Sequence, residues 1–211
     1  GVPVSVLVLT LNEERRIRAC LESVRWADEV VVVDSFSTDR TVEIAHEYTD
    51  KVHQVPLTKM SDAGIKRNWA MENVPFTHEW VLSLDADYRV PEVLRDEIRQ
   101  ALSTATVDGF LISQRYVFMG RPLTHCLGPM YQLKLFNHRL FRCDEAIHER
   151  PIFSGRVGYL KNYYIHDDKK SLYEYIERHN IYSTREAELY RQLRQQPLDF
   201  DVRRFLIADS V

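Results

Sequence analysis

This 211-residue chain has little of several things, and each shortage removes a class of protein. It has three cysteines, Cys20, Cys126 and Cys143, at wide spacings. An odd number without paired spacing argues against a disulfide framework and against a zinc site, and it points to a reducing, cytoplasmic compartment. No apolar run approaches the roughly 18–20 residues of a membrane span. The apolar start breaks at Asn12-Glu13-Glu14, too early for a signal peptide. An excess of one sign of charge is also missing: the net charge of −3 gives no reason to expect a nucleic-acid partner. No glycine-rich phosphate loop of the Rossmann or P-loop kind follows any apolar run. There is no internal repeat and no low-complexity tract. The chain begins with Gly1 and ends at Phe205-Leu206-Ile207-Ala208-Asp209-Ser210-Val211 without a helix stop signal, so both ends read as cut from something longer.

About 45% of the residues are hydrophobic, enough to bury a sizeable core in one domain or in one domain with a small appendage. Val4 to Leu9 and Val30 to Val33 are continuous apolar runs, as in strands buried on both faces of a parallel sheet. Between them, Ile17, Cys20, Leu21 and Val24 recur at helical spacing. Thr38 or Asp39 can cap the next helix, which carries Val42, Ile44 and Ala45. Val52 to Val55 reads as a strand, 63–73 as a helix and Trp80 to Leu84 as a strand ending at Asp85. Pro91 suits the first turn of a helix running to about Leu102. This βα alternation predicts an α/β fold, a mostly parallel sheet with helices on both faces. After residue 108 the rhythm changes to shorter strands at Phe110 to Tyr116, Gln132 to Phe136 and Leu140 to Phe141, then a long polar helix from about Ser171 to Arg194. The expected organisation is therefore a half resembling a nucleotide-binding layer at 1–108, a half of the same domain at 109–170 that completes a site, and a truncated helical segment at 171–211.

In an open parallel sheet, ligands bind beyond the carboxyl ends of the strands. Three such ends are polar here: Thr10-Leu11-Asn12-Glu13-Glu14, Asp34-Ser35-Phe36-Ser37-Thr38-Asp39 and Asp85-Ala86-Asp87. Without a phosphate loop, a bound nucleotide needs its phosphates neutralised in another way. Two carboxylates two residues apart, just past a buried strand, can share a divalent cation. Hard oxygen donors suit Mg²⁺ or Mn²⁺, which bridge diphosphate oxygens. The same aspartates could serve merely as turn or capping residues ahead of Pro91. The preceding strand and two other polar ends on the same edge favour the metal.

Val6-Leu7-Val8-Leu9-Thr10-Leu11-Asn12-Glu13-Glu14, Val31-Val32-Val33-Asp34-Ser35 and Leu84-Asp85-Ala86-Asp87 together resemble glycosyltransferase family 2, which has the GT-A fold. Trp26-Ala27-Asp28-Glu29, Leu133-Lys134-Leu135-Phe136 and Ile147-His148-Glu149 resemble a bacterial subgroup that adds sugars to lipopolysaccharide core or other envelope glycans. The resemblance covers about residues 3–185. It implies that Thr10, Leu11, Asn12, Glu13, Asp34 and Ser35 contact the nucleotide, with Asp34 accepting the uracil imide N–H and so favouring UDP. It places Lys66, Arg67 and Asn68 near the ribose and diphosphate, and Ala86 between the two aspartates against the nucleotide. A plain surface helix is the alternative for Lys66 and Arg67. Asp85 and Asp87 hold the metal, and a late histidine, His166, is a possible third ligand or else a structural residue. Glu149 is the expected general base, with Asp144 and Glu145 as rivals and a turn role beside Arg150 as the alternative. The subgroup usually has an acid where this chain has Met130, which implies altered specificity or an acceptor needing less base assistance.

The expected activity is inverting transfer of a sugar from a nucleotide-sugar to a hydroxyl of a bacterial envelope glycan or glycolipid. A polyprenyl-phosphate glycosyltransferase, a nucleotidyltransferase and a catalytically silent binding module are the competitors. Acidic Asn12-Glu13-Glu14 argues against the nucleotidyltransferase, and the presence of both Asp85 and Asp87 argues against the silent module. The late helix, with Tyr173, Ile176 and Ile181 among Lys, Arg and His, reads as an amphipathic helix closing the domain or as a membrane-surface helix. A missing tail would carry peripheral contact with the inner face of the membrane.

Overall fold

Strand β1 (Val2–Thr10) sends Val4, Val6 and Val8 into one core and Leu7 and Leu9 into another, which is why its sequence is apolar without alternation. A computed structural model describes residues 2–56, 63–123, 130–143, 151–168 and 171–195. On the first face, Ile17, Cys20 and Leu21 of helix α1 (Ile17–Ser23), Ile44 and Ala45 of α2 (Thr41–His46) and Leu94 and Ile98 of α4 (Glu92–Ser103) pack onto the sheet. On the second, Ala70 of α3 (Ala63–Asn73) joins Leu7, Leu9, Val31 and Val33. The expected layering, with helices on both faces, is what forms.

Strands β2 (Ala27–Asp34), β3 (Val52–Gln54) and β4 (Trp80–Asp85) lie parallel to β1 in the order β3-β2-β1-β4. The sheet continues through β8 (Met130–Asn137), antiparallel to β4, and β6 (Gly109–Phe118), antiparallel to β8. β11 (Val157–Asp168) then runs parallel to β6. Two reversals return β6 and β11 to the direction of β4, so β1 to β4, β6 and β11 finish at one edge, where β8 begins. The short β5 (Tyr88–Arg89) pairs with the end of β11, and β7 (Arg121–Pro122) with the end of β6. A separate antiparallel pair is formed by β9 (Phe141–Cys143) and β10 (Pro151–Phe153), and Phe141 of β9 stacks on Phe136 of β8 at 4.0 Å.

Local differences from the sequence reading have local causes. Pro91 is the residue ahead of α4 and not within its first turn; its φ of −62° with ψ of 156° keeps it extended. Asp39 stands two residues before α2, yet its Oδ1 accepts from the Thr41 amide at 3.0 Å and so does a cap's work from further out. Leu140 belongs to a short 3-10 turn, His138–Leu140, ahead of β9.

The chain divides into compact units Gly1–Lys169 and Lys170–Val211. The second contains α5 (Leu172–Gln195), opened by a reciprocal capping box: the Ser171 amide donates to Glu174 Oε2 at 2.7 Å and the Glu174 amide to Ser171 Oγ at 3.3 Å. Among the described residues, no helix is long and apolar enough to cross a membrane.

Candidate active site

Strand register assembles the polar ends. Thr10 pairs with Asp34 and Leu9 with Asp85, so the three segments singled out in the sequence emerge side by side at one edge. The Asp87 carbonyl accepts from the Asp167 amide at 3.0 Å, and Tyr88 pairs with His166, so the turn after β4 is tied to the end of β11.

The first two loops form one platform. Asn12 takes a left-handed φ of 54°, tolerable for its short polar side chain, and its Oδ1 accepts from the Thr38 amide at 2.8 Å. The Asn12 amide donates to Ser37 Oγ at 2.8 Å and the Glu13 amide to Thr41 Oγ1 at 2.7 Å. The Glu13 carboxylate pairs with Arg16. Asp34 is fully buried and accepts from the Ser37 amide at 2.8 Å, from Gln54 Nε2 at 3.2 Å and from the Ser37 hydroxyl. Those bonds use three of the carboxylate's roughly four acceptor positions. Phe36, with φ of 57°, is held at the rim with half its surface exposed, and Leu11 is also exposed.

The basic stretch on α3 does three separate jobs. Lys66 is buried and donates from Nζ to the Thr10 carbonyl at 3.2 Å. Arg67 donates from Nε to Ser83 Oγ at 2.9 Å and from Nη2 to Asp85 Oδ1 at 3.1 Å. Asn68 clamps the backbone of Cys143, donating to its carbonyl at 2.9 Å and accepting from its amide at 2.7 Å, so its amide fixes β9 instead of facing the nucleotide loops. Neither Lys66 nor Arg67 is the plain surface residue offered as the alternative.

The two aspartates part company. Asp85 faces cations: Lys134 Nζ lies 3.6 Å from its Oδ2, Arg67 sits on its Oδ1, and the Tyr88 hydroxyl donates to it. Burial works against its ionisation, but Lys134 and then Arg67 outweigh this and hold its pKa at about 2. Asp87 faces His166, with Oδ2 and Nε2 3.1 Å apart and the two side chains 13% and 18% exposed. Among the described residues, Asp85, Asp87 and His166 do not close into a three-ligand cluster. Asp87 nonetheless suits a cation. Its Oδ1 is buried without a partner among the described residues, as is His166 Nδ1. Two ligands at about 2.1 Å and right angles on one cation stand about 3 Å apart, so the 3.1 Å separation serves a shared ion as well as a hydrogen bond. Nearby Cys20 places Sγ 3.8 Å from the Asp85 carbonyl; burial, then Asp87 and Asp85, push its thiol up, so it stays a neutral packing group.

Two more buried atoms at this edge, Thr10 Oγ1 and Ser35 Oγ, have no partner among the described residues. A buried polar atom left unpaired costs about 1–3 kcal/mol, so such groups gathered at one edge call for polar partners, from ordered water or from a ligand. Against Tyr88 lies a network that motif reading does not single out. The Tyr164 hydroxyl meets Gln132 Oε1 at 2.9 Å and Gln114 Oε1 at 3.1 Å, and its ring lies 4.7 Å from that of Tyr88. Met130, on β8 opposite Gln114, is exposed. The expected base Glu149 and its rivals Asp144 and Glu145 lie outside the described residues, as does His148.

A protein of Rickettsia typhi described as a glycosyltransferase is 27% identical over 200 residues, 88% of this chain and 67% of its own length. The lipopolysaccharide core biosynthesis glycosyltransferase LpsC of Rhizobium meliloti is 27% identical over 194 residues, 89% of this chain and 71% of its own. Among solved structures, S. aureus TarS 1–349 in complex with UDP-GlcNAc superposes with a TM-score of 0.58 at 24% identity, over 80% of this chain and 59% of that one. Glucosyl-3-phosphoglycerate synthase from Mycobacterium tuberculosis, in complex with Mn²⁺, UDP and glucosyl-3-phosphoglycerate, gives 0.55 at 17% identity, over 82% and 75%. At those identities the likeness establishes the GT-A fold. The chain spans about two-thirds of the curated relatives and about three-fifths of the TarS chain. The family model described as Glycosyl transferase family 2 matches residues 5–164, well over half of the sequence, and the chain belongs to that family.

Proposed function

We propose that the protein moves a sugar from a uridine diphosphate donor to a hydroxyl of a bacterial envelope glycan or glycolipid, with inversion at the anomeric carbon. The observation that carries this reading is the set of buried, unpartnered polar atoms on Thr10, Ser35, Asp87 and His166 along one strand edge. LpsC by its name, and TarS by the UDP-GlcNAc in its complex, support the envelope and uridine parts of the reading.

In this reading Asp87, with His166 beside it, holds the divalent cation. A cation held there would supply charge neutralisation for the diphosphate. Asp85 serves differently: it stays ionised and positions Arg67 and Lys134 around the phosphates. Thr10 and Ser35 offer their hydroxyls to the nucleoside, with Leu11 and Phe36 at the rim. Asp34 uses its remaining acceptor position for the uracil imide, while Ser37 and Gln54 hold its carboxylate in place. Asn12 and Glu13 shape the platform, and Lys66 fixes the carbonyl end of β1. Ala86 sits on the β1 ladder, its amide donating to the Leu9 carbonyl at 3.1 Å, and so sets the spacing of the aspartates. Glu149 takes the acceptor proton, and an exposed Met130 in place of an acid alters the acceptor specificity.

Calorimetric titration with UDP-, GDP- and CDP-sugars, with and without Mn²⁺, tests the reading. It expects a UDP-sugar to bind only when the cation is present. Equal binding in excess EDTA, or no binding of any nucleotide-sugar, contradicts it.

A further inference from the structure

The mixed half of the sheet carries an aromatic pair that the donor site does not use. Tyr131 stands on β8 and Tyr159 on β11, with β6 between them. Neighbouring strands lie about 4.8 Å apart, so these two backbones are about 10 Å apart. The rings nevertheless meet, with their centres 5.2 Å apart and their planes at 86°. The register shows which face they occupy. Tyr131 pairs with Ser113, while Leu133 and Tyr159 both pair with Leu111. Alternation therefore puts both tyrosines on the second face, where Leu133 and Phe153 of β10 pack against the core. Ser113, on the strand between, is buried and small enough to let the rings lean towards each other.

The pair stays open to solvent: Tyr159 is 66% exposed and Tyr131 43%. In an edge-to-face pair, the ring that supplies the edge keeps both of its faces free of the other ring. Tyr163 pairs with Ser113 on the same face, and Arg115 donates to its hydroxyl at 2.6 Å with the guanidinium 3.7 Å from the ring centre. Phenol and guanidinium groups thus border the open rings. That mixture fits a sugar, because a pyranose has a face of C–H bonds that lies flat on an aromatic ring and a rim of hydroxyls that hydrogen-bonds at its edge. A purely apolar partner would strip water from those donors and give nothing back.

The patch is continuous with the candidate active site. Tyr131 follows Met130 at the start of β8, at the edge where the parallel strands finish. Its neighbour Gln132 meets the hydroxyl of Tyr164, whose ring lies against Tyr88. β9 and β10, which flank Glu149 in the sequence, also reach this face through Cys143 and Phe153.

We propose that Tyr131 and Tyr159 form an acceptor-binding platform, on which a sugar ring of the acceptor lies as the glycan runs back from its reacting hydroxyl. This rests on the glycosyl-transfer reading above and names the substrate class on its acceptor side: a pyranose oligosaccharide, not a lone lipid phosphate.

Saturation-transfer NMR with delipidated lipopolysaccharide core oligosaccharide as the probe tests this. The proteins are the wild type, Tyr159→Phe, Tyr159→Leu and Tyr131→Leu, with melting temperature and circular dichroism as the check on folding. The wild type should saturate ring C–H protons of the probe. Tyr159→Phe keeps the flat ring and should bind within about threefold. The two Leu variants keep apolar area without the ring and should weaken the probe by about tenfold, the scale of an aromatic contact. UDP with Mn²⁺ should bind all four proteins within about twofold. Folded Leu variants that bind the probe like the wild type, or that lose UDP as well, overturn the platform, and so does a wild type that ignores the probe. Tyrosine-dependent binding to phosphatidylglycerol vesicles in place of the probe makes the patch a membrane surface and overturns it too. The glycosyl-transfer reading fails separately: a wild type that holds the probe through both tyrosines but binds no nucleotide-sugar keeps a glycan site and loses the transfer.

Discussion

Where strand β2 begins and where the parallel strands of the sheet end, buried polar groups are handled in opposite ways. At the start, Glu29 is almost fully buried, and Ser5 Oγ, the Thr77 amide at 2.8 Å, the Thr77 hydroxyl at 2.7 Å and Lys51 all serve it. Burial alone would raise its pKa, yet Lys51, Ser5 and Thr77 together hold it at about 2. The other end of the sheet gathers Thr10, Ser35, Asp87 and His166 with polar atoms unpartnered among the described residues. Acidity and burial are common to both ends. What separates the two is whether the polar atoms already have partners among the described residues.

The comparison can be broken most severely at Asp87. Asp87→Ala should lower turnover by at least about 10²-fold, the scale of losing a main charge stabiliser, with little loss of folding stability. Normal turnover in assays of the purified variant would mean that the open end does not hold the chemistry. Glu149→Gln should lower transfer by about 10²-fold while leaving donor affinity nearly intact, as loss of a general base does. Unchanged transfer would move that role to Glu145 or Asp144. NMR of the product should show the anomeric configuration inverted; retention would require a covalent nucleophile that this account does not contain.

Smaller effects sharpen the contrast. Asp34→Ala should cost UDP about tenfold in affinity and narrow its margin over GDP, since a site built around a buried hydrogen bond rejects ligands that leave it unpaired. A preserved margin in competition binding would leave Asp34 a loop-fixing residue only. Glu29→Gln should do the reverse of Asp87→Ala: turnover at neutral pH within about twofold, and stability lower by about 2 kcal/mol. Because its folded pKa is depressed, the Glu29 contribution is complete above the unfolded value of 4.5 and is lost as pH falls from there through about 2. Urea unfolding from pH 6 to pH 3 should show the wild type losing stability faster than the variant. Parallel curves would contradict this.

Much of this was legible in the sequence. Apolar β1 and β2, and the strand before Asp85-Ala86-Asp87, announced a parallel sheet because burial on both faces leaves no room for alternation. The polar residues that stop those strands marked the site edge. What stayed hidden depends on pairing. A two-residue strand such as β5 has no period to read, and β11 is set by its partners β6 and β5. Motif reading gave Asp85 and Asp87 one shared role, and it could not show that Lys134 comes within 3.6 Å of Asp85 Oδ2. A single lysine breaking the run Leu133-Lys134-Leu135-Phe136 was the available sign. Likewise the spacing of Lys66-Arg67-Asn68 could not reveal that Asn68 faces β9 while Arg67 faces Asp85. The Trp26-Ala27-Asp28-Glu29 stretch, noted only as a subgroup likeness, turns out to supply the best-satisfied carboxylate of β2.

The central claim is that Asp87 couples a divalent cation to nucleoside diphosphate binding at the open end of the sheet. Calorimetry of UDP with Mn²⁺ on the wild type and on Asp87→Ala, each repeated in excess EDTA, tests it most directly. The account predicts that the wild type binds only with the cation, and that Asp87→Ala with Mn²⁺ binds no better than the wild type in EDTA. Cation-dependent binding of undiminished affinity by Asp87→Ala would contradict it.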